Sequence, residues 1–400
     1  MAARRRLVRL MAAGLVDSLC LSVAWTVLML QVVASYGLAA AGLCSAAMLI
    51  GVALSAPAAS WMASLLSGRH LLRGAAVAEA MLRVSVFLLL FTGAPVWVLA
   101  LCISTMNVTA WTGYAGMRAE VAAVSSGPTA LTWYGTIVAS VEAAGVAVAA
   151  LLPARGGVSP DTVLLAVMAA YVLALVPTVI VAGDSSIAPS GRRVRRPHLR
   201  RGAASATTVG GTVLMFLASA PTLLSVALAA ELHGREAVAP AAIAFTLGSL
   251  AAPALTRRIP EHRTEHLGLW ITCALGMVVG WVLAPVHAAM LCVAQLSSGL
   301  FMTALEGLLD TSAARRHPGH VTGALARATA GRALGSAAGT ALLPLLVVGI
   351  SLEATIAGIS LVLLSAMVLA SLWARTRDAA AATGGPTPSQ STRPVSSQVG

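Results

Sequence analysis

Lysine is missing altogether: all 26 basic residues of this 400-residue chain are arginine. That bias fits a GC-rich bacterial genome, because lysine codons are A-rich. Charge of either sign is scarce, at 10% of residues against roughly a quarter in soluble domains. A soluble chain cannot cover its surface with so few charges, so most of this one must face lipid. Aromatic residues make up 4%, too few for a site built on ring stacking. There are five cysteines, Cys20, Cys44, Cys102, Cys273 and Cys292, all within apolar runs. None forms a C-x-x-C pair, which excludes a redox or zinc motif and leaves small core hydrophobes. No G-x-x-x-x-G-K-[ST] loop is present, so the chain does not hydrolyse ATP itself. The net charge of +12 does not indicate nucleic-acid binding, since the arginines do not form one face interleaved with aromatics.

Apolar runs fill the chain instead. A helix of about 20 residues spans the hydrocarbon core, and twelve candidates follow in order: 10–33, 39–66, 74–92, 96–117, 129–152, 162–182, 207–230, 238–255, 267–284, 287–309, 322–350 and 352–374. The first is too long for a cleavable leader. Arginine placement sets the orientation, because cytoplasmic loops are enriched in basic residues. Arg4, Arg5, Arg6 and Arg9 precede the first span, Arg69 and Arg73 follow the second, and Arg118 follows the fourth. Arg192, Arg193, Arg195, Arg196, Arg200 and Arg201 crowd the connector after the sixth. Arg257, Arg258 and Arg263 follow the eighth, Arg315 and Arg316 the tenth, and Arg375 and Arg377 the twelfth. Loops on the other side offer Arg155 and Arg235. The reading is an all-α membrane protein with both termini in the cytoplasm. It divides into a six-helix bundle over 1–182, an arginine-rich connector over 183–206, a second bundle over 207–374, and a disordered tail over 375–400 rich in Ser, Thr, Pro and Gly.

The halves align at an offset of 194 residues: Ala130-Leu131 meets Ala324-Leu325, Gly145 meets Gly339, and Arg69 meets Arg263. Parallel six-helix repeats joined by a long cytoplasmic loop are an arrangement of secondary carriers. The opening Leu15-Val16-Asp17-Ser18-Leu19 and the run Gly-Leu-Ala-Ala-Ala-Gly-Leu at 37–43 resemble the first two spans of bacterial members of the major facilitator superfamily. Of that family's G-x-L-A-D-R-x-G-R-[RK] loop, Gly68-Arg69-His70 remains, and Leu65-Leu66 replaces its Asp-Arg pair. The fourth-span arginine of proton-coupled members has no match; Asn107 and Thr109 occupy that stretch. Of the fifth-span antiporter glycines, Gly145 alone is kept. The resemblance implies two pseudo-symmetric bundles around a central cavity lined by spans one, four, seven and ten.

Charges inside spans cost about 2.5–3.5 kcal/mol each on insertion scales, so each needs a reason. Asp17 is a carboxylate of the first span that either binds a cation or a proton or pairs with nearby arginines. Glu142, the deepest acid, can carry a proton, and Arg332 sits at similar depth in the eleventh span. Glu79 and Arg83, four residues apart, share a helix face as a structural ion pair. Glu306 and Asp310 share a face and, with Arg69, are inner-gate candidates that could meet Arg315, Arg316 or Arg327. Gln31, Asn107 and Gln295 are cavity polar candidates. Gly331, Gly335 and Gly339 form a small-residue stripe for close helix approach, usable also as a sliding surface. The stretch Arg257–His266, with Glu261, His262, Glu265 and His266, reads as a solvated turn.

These features predict a secondary transporter working by alternating access. It exports a small hydrophobic or amphipathic compound, a drug or secondary metabolite, from a bacterial plasma membrane. It is not an enzyme, needs no cofactor beyond possible coupling to the proton gradient, binds no nucleic acid or metal, and acts as a monomer. The alternatives are uptake of a small metabolite or organic anion with Arg332 as anion partner, or a degenerate, non-transporting membrane partner.

Overall fold

The computed structural model describes residues 2–124, 141, 144–152, 160–185, 187, 206–260, 265–316 and 321–383. Among these there is helix and no strand. The chain opens with α1 (Ala2–Tyr36), α2 (Leu38–Leu65), α3 (Gly68–Phe91) and α4 (Val96–Val124). Residues 144–151 are helical, and α5 (Pro160–Leu173) and α6 (Val176–Ala182) follow. The second half holds α7 (Ala206–Ala218), α8 (Ala220–Leu223), α9 (Ser225–His233) and α10 (Val238–Thr256). It continues with α11 (Leu267–Val278), α12 (Ala288–Arg316), α13 (Val321–Gly349) and α14 (Leu352–Thr383).

Helix is the dictated form here. Hydrocarbon offers no water to backbone N–H and C=O groups, so a single apolar segment must satisfy them internally. Nine stretches among the described residues are long and apolar enough to cross a membrane, and Thr207–Ala218 and Leu267–Val282 are shorter apolar helices. Proline accounts for the interruptions, because it removes an N–H and clashes with the preceding turn. The expected span over 162–182 breaks at Ala174 and Leu175, just before Pro177, and the one over 207–230 breaks into α7, α8 and α9 around Pro221. Large apolar side chains remain exposed along the helices, Trp97 at 65% and Leu101 at 64% among them, a surface that only lipid tolerates on this scale. The chain is an integral membrane protein.

At 35 residues, α1 is about 52 Å long, well beyond the roughly 30 Å hydrocarbon core. Its first turns, with Arg6 and Arg9, therefore reach past the bilayer at what we call the basic end. There they meet Glu120 of α4 and Asp184 beyond α6. At the opposite end α1 and α2 are joined through Gly37 alone, whose φ of 82° is open to glycine at little cost. Beside that turn, the Tyr36 hydroxyl donates to the Ala94 carbonyl at 3.0 Å.

Two large cores correspond to the two halves of the sequence. One is built around Val32, Cys44, Phe87, Leu99 and Ile103, the other around Met215, Leu228, Met277, Trp281 and Leu291. They interpenetrate toward the opposite end, where Leu30 packs in the second core and Ala227 in the first. Gly42 sits against α13 so closely that a Cβ there would lie 2.6 Å from both the Thr340 carbonyl oxygen and Pro344 Cγ. The buried residues of α2 run from Ala40 to Ser55, and none follows to its end at Leu65. Every ion pair that joins two described residues stays within one half. The close approach between the halves at Gly42 thus lies at the opposite end.

The glycine stripe is the close-packing device expected, whereas its use as a sliding surface and the start of the tail are corrected. The glycine stripe does not face the other half: Gly331 packs on Thr208 and Thr212, and Gly339 on Phe216, all of α7. It is packing within one half, and Gly42 makes the close approach between halves. The last helix also runs to Thr383, so residues 375–383, assigned to the tail by composition, are helical. Ala379–Ala382 are strong helix formers, and Gly384-Gly385-Pro386 follows them.

Candidate functional site

Arg83 is the most heavily satisfied charge among the described residues, and its side chain is fully buried. It stands on α3 one turn beyond Glu79, the spacing that puts both on one helix face. Its Nε donates to Glu79 Oε1 at 3.0 Å, and its Nη2 donates both to that oxygen and to Asp17 Oδ1, the latter at 2.8 Å. Nη1 donates to the backbone carbonyl of Tyr171 on α5. The guanidinium also lies 3.6 Å from the centre of the Tyr171 ring, a cation–π contact strengthened by exclusion of water. Three elements, α1, α3 and α5, thus converge on one cation. Two carboxylates face one guanidinium, so the cluster carries one formal negative charge in excess.

Beside it lies a cavity of about 30 Å³, room for a water or two. Asp17, Ser18, Glu79, Tyr114 and Thr178 supply its polar lining, and Gly14, Leu72, Ala76 and Met117 much of its apolar wall. Drug-sized ligands need about 300 Å³ or more, so this cavity suits a small cation or water.

The second half has its own cluster. Arg332 on α13 donates from Nη1 to Asp310 Oδ1 of α12 at 2.7 Å and from Nη2 to Thr329 Oγ1 at 3.3 Å. Glu306, one turn from Asp310, has no ion pair with any described residue. Asp310 therefore meets Arg332, whereas the expected partners were Arg315, Arg316 or Arg327. Arg316 pairs with Glu265 at 3.0 Å, which places that part of the Arg257–His266 turn on α12.

The remaining sequence candidates scatter. Glu142 lies outside the described residues, as do Glu261 and His262. Gln31 donates to Ser35 Oγ at 3.3 Å on its own helix, and buried Asn107 donates to the Ile103 carbonyl at 2.9 Å. Gln295 is buried with both amide atoms unpartnered. Arg69 is exposed at the start of α3. No group of three His, Cys, Asp or Glu side chains among the described residues is placed to hold a metal ion.

Sequence reading missed Glu120. Near the end of α4, it accepts from Arg6 and from the Ser185 hydroxyl, while the Gly68 N–H donates to the Ile187 carbonyl at 2.9 Å. The start of α1, the end of α4 and the first residues of the connector are fastened together here. An acid near the end of an apolar run beside basic loops was the available signal.

No protein-family model matches the sequence, and no curated protein is similar to it. Solved structures are similar in shape over nearly the whole chain. A mutant form of the nucleoside transporter NupG superposes with a TM-score of 0.71 at 12% identity over 91% of this chain and 99% of that one. A D-xylose-proton symporter gives 0.69 at 12% identity, covering 91% and 97%. A POT family transporter in complex with a thioalcohol-conjugated peptide gives 0.68 at 10%, covering 93% and 96%. The fold is that of the major facilitator superfamily. In this fold the eroded Gly68-Arg69-His70 loop keeps a structural task, since Gly68 anchors the connector: a Cβ there would press on Glu120 Oε1 at 2.8 Å. The major facilitator architecture also accounts for the close contact of α2 with α13, one helix from each half.

Proposed function

We propose that this protein is a secondary active transporter with twelve spans in two six-helix bundles, over 1–182 and 207–374, joined by the 183–206 connector. Both termini, and hence the basic end, face the cytoplasm. The substrate is a small hydrophobic or amphipathic compound bound between the bundles. Export is driven by entry of a cation, in the first instance a proton, at Asp17, Glu79 and Arg83.

The observation that carries this reading is the excess carboxylate of the buried cluster. One guanidinium cannot neutralise two carboxylates, and an uncompensated charge in hydrocarbon is costly. One bound proton completes the neutralisation, and its binding and loss bias the bundles between two states. Asp17, with 29% of its side chain exposed, is the member within reach of water. Fold likeness leaves substrate open, and the apolar, aromatic-poor composition supports a hydrophobic cargo over a sugar. Arg332 does not support an anion site, because Asp310 already neutralises it. The unpartnered Gln295 amide and Glu142 are further proposed polar contacts.

The test is dye or antibiotic accumulation in cells with and without the protein, with and without a protonophore. The expected result is lower accumulation, abolished by the protonophore, and raised to the level of cells lacking the protein by Asp17→Asn at equal protein abundance. Higher accumulation in cells containing the protein would establish uptake instead, and unchanged accumulation across a broad compound panel would remove the transport reading.

A further inference from the structure

The cavity beside Asp17 holds more oxygen donors than proton binding requires. Ser18 and Thr178 line it with the two carboxylates, and each is only 7% exposed. A buried helical hydroxyl ordinarily donates to a carbonyl on the preceding turn. Here Thr26 does so to Ser22, at 2.8 Å, and Thr112 to Val108, at 2.7 Å. Ser18 and Thr178 make no such bond, nor any other with a described residue. Two hydroxyls on residues more than nine-tenths buried are thus left without a protein partner, and both belong to the wall of one small cavity.

The chemistry of that cavity is uniform. Its polar side-chain donors are carboxylate and hydroxyl oxygens from α1, α3, α4 and α6, with no imidazole or thiol among the described residues that line it. Hard oxygen donors select hard cations. The volume of about 30 Å³ admits one dehydrated small ion and no organic ammonium. The excess formal charge of one calls for a monovalent ion. The charged and titratable groups around Asp17 are Glu79 and Arg83 of α3, Tyr114 of α4, Tyr171 of α5 and Cys20 of α1 itself. Arg83 is the one cation among them, and it is already shared between two carboxylates.

We propose that this cavity binds a sodium ion through Asp17, Glu79, Ser18 and Thr178, in competition with the proton. The role of the ion in transport rests on the coupling reading above; its binding does not. The ion occupies oxygen ligands left over by Arg83, so the Arg83 contacts persist when it is bound.

The experiment uses the purified full-length protein and two readouts, radioactive sodium binding and thermal unfolding in sodium, potassium or choline chloride at equal ionic strength. Sodium is expected to bind saturably and to raise the unfolding temperature beyond the other two salts. The effect should be larger at alkaline than at acidic pH, as competition requires. Asp17→Asn should abolish it. Ser18→Ala and Thr178→Val, which leave the Arg83 ion pairs in place, should each weaken sodium binding about fivefold. Equal behaviour in the three salts would overturn the proposal, as would sodium binding indifferent to both hydroxyl substitutions. Protonophore-sensitive export that persists in sodium-free medium with no sodium binding discards the sodium site and keeps the coupling reading. Sodium binding in a protein that moves no compound does the reverse.

Discussion

Removing Arg83 leaves two carboxylates, buried Glu79 and part-exposed Asp17, without a counter-charge. Breaking a buried charge pair by deleting one partner costs about 3–5 kcal/mol, and here both Asp17 and Glu79 lose the same partner. Arg83→Met is therefore expected to lower unfolding resistance by at least that much, read from denaturant titration of the purified protein. Arg83→Lys should recover only part of it. A single ammonium cannot serve Asp17, Glu79 and the Tyr171 carbonyl in the planar fork that guanidinium provides. Glu79→Gln should be milder, since an amide oxygen still accepts from Arg83 Nε. At this scale the sequence was half legible. The four-residue spacing of Glu79 and Arg83 announces their pairing. Nothing local announces that Asp17, 66 residues away, completes it, because helix adjacency is a property of the bundle.

At the scale of elements, the close approach of α2 to α13 at Gly42 holds the opposite end shut. A larger residue there has no room, with Thr340 and Pro344 both within 2.6 Å of the Cβ position. Gly42→Leu is expected to force the two helices apart, so a cysteine placed nearby at Ala39 should react faster with an impermeant thiol reagent applied to the face opposite the basic end. Unchanged labelling would show that α13 yields without opening the gap. The corresponding change at Gly331, which packs on Thr208 and Thr212, should instead lower stability without altering that access, because both helices belong to one half. The stripe at 331, 335 and 339 was visible in the sequence, but its partner was not. Periodicity says which face of a helix is small, and never which helix lies on it. Nine spans among the described residues were readable from apolar run length, and the departures came at Pro177 and Pro221, where a continuous hydropathic run conceals a broken hydrogen-bond ladder.

For the molecule as a whole, contact between the halves at the Gly42 end is what one of the two states of the proposed alternating access would show. Spin labels at Ser64 of α2 and Thr311 of α12, both toward the basic end, should show a broad separation that shortens when substrate or cation drives closure of that end. A distance unaffected by either would argue that the halves do not rock. The two-bundle plan was expected from the arginine-rich connector and the 194-residue offset, and the orientation from arginine alternation, because loop charge is set by insertion and needs no tertiary contact. The Glu120 fastening was not readable, since its partners Arg6 and Ser185 come from the start of the first half and from the connector beyond its end. The single surplus carboxylate of the Asp17 cluster has a last consequence. A cycle that carries one cation inward against a neutral cargo moves net charge across the bilayer. The transmembrane voltage then contributes about 2.3 kcal/mol for every 100 mV, enough for more than tenfold accumulation outside. The proposed export cycle would therefore be electrogenic: with no chemical gradient at all, an inside-negative membrane potential alone would keep it running outward.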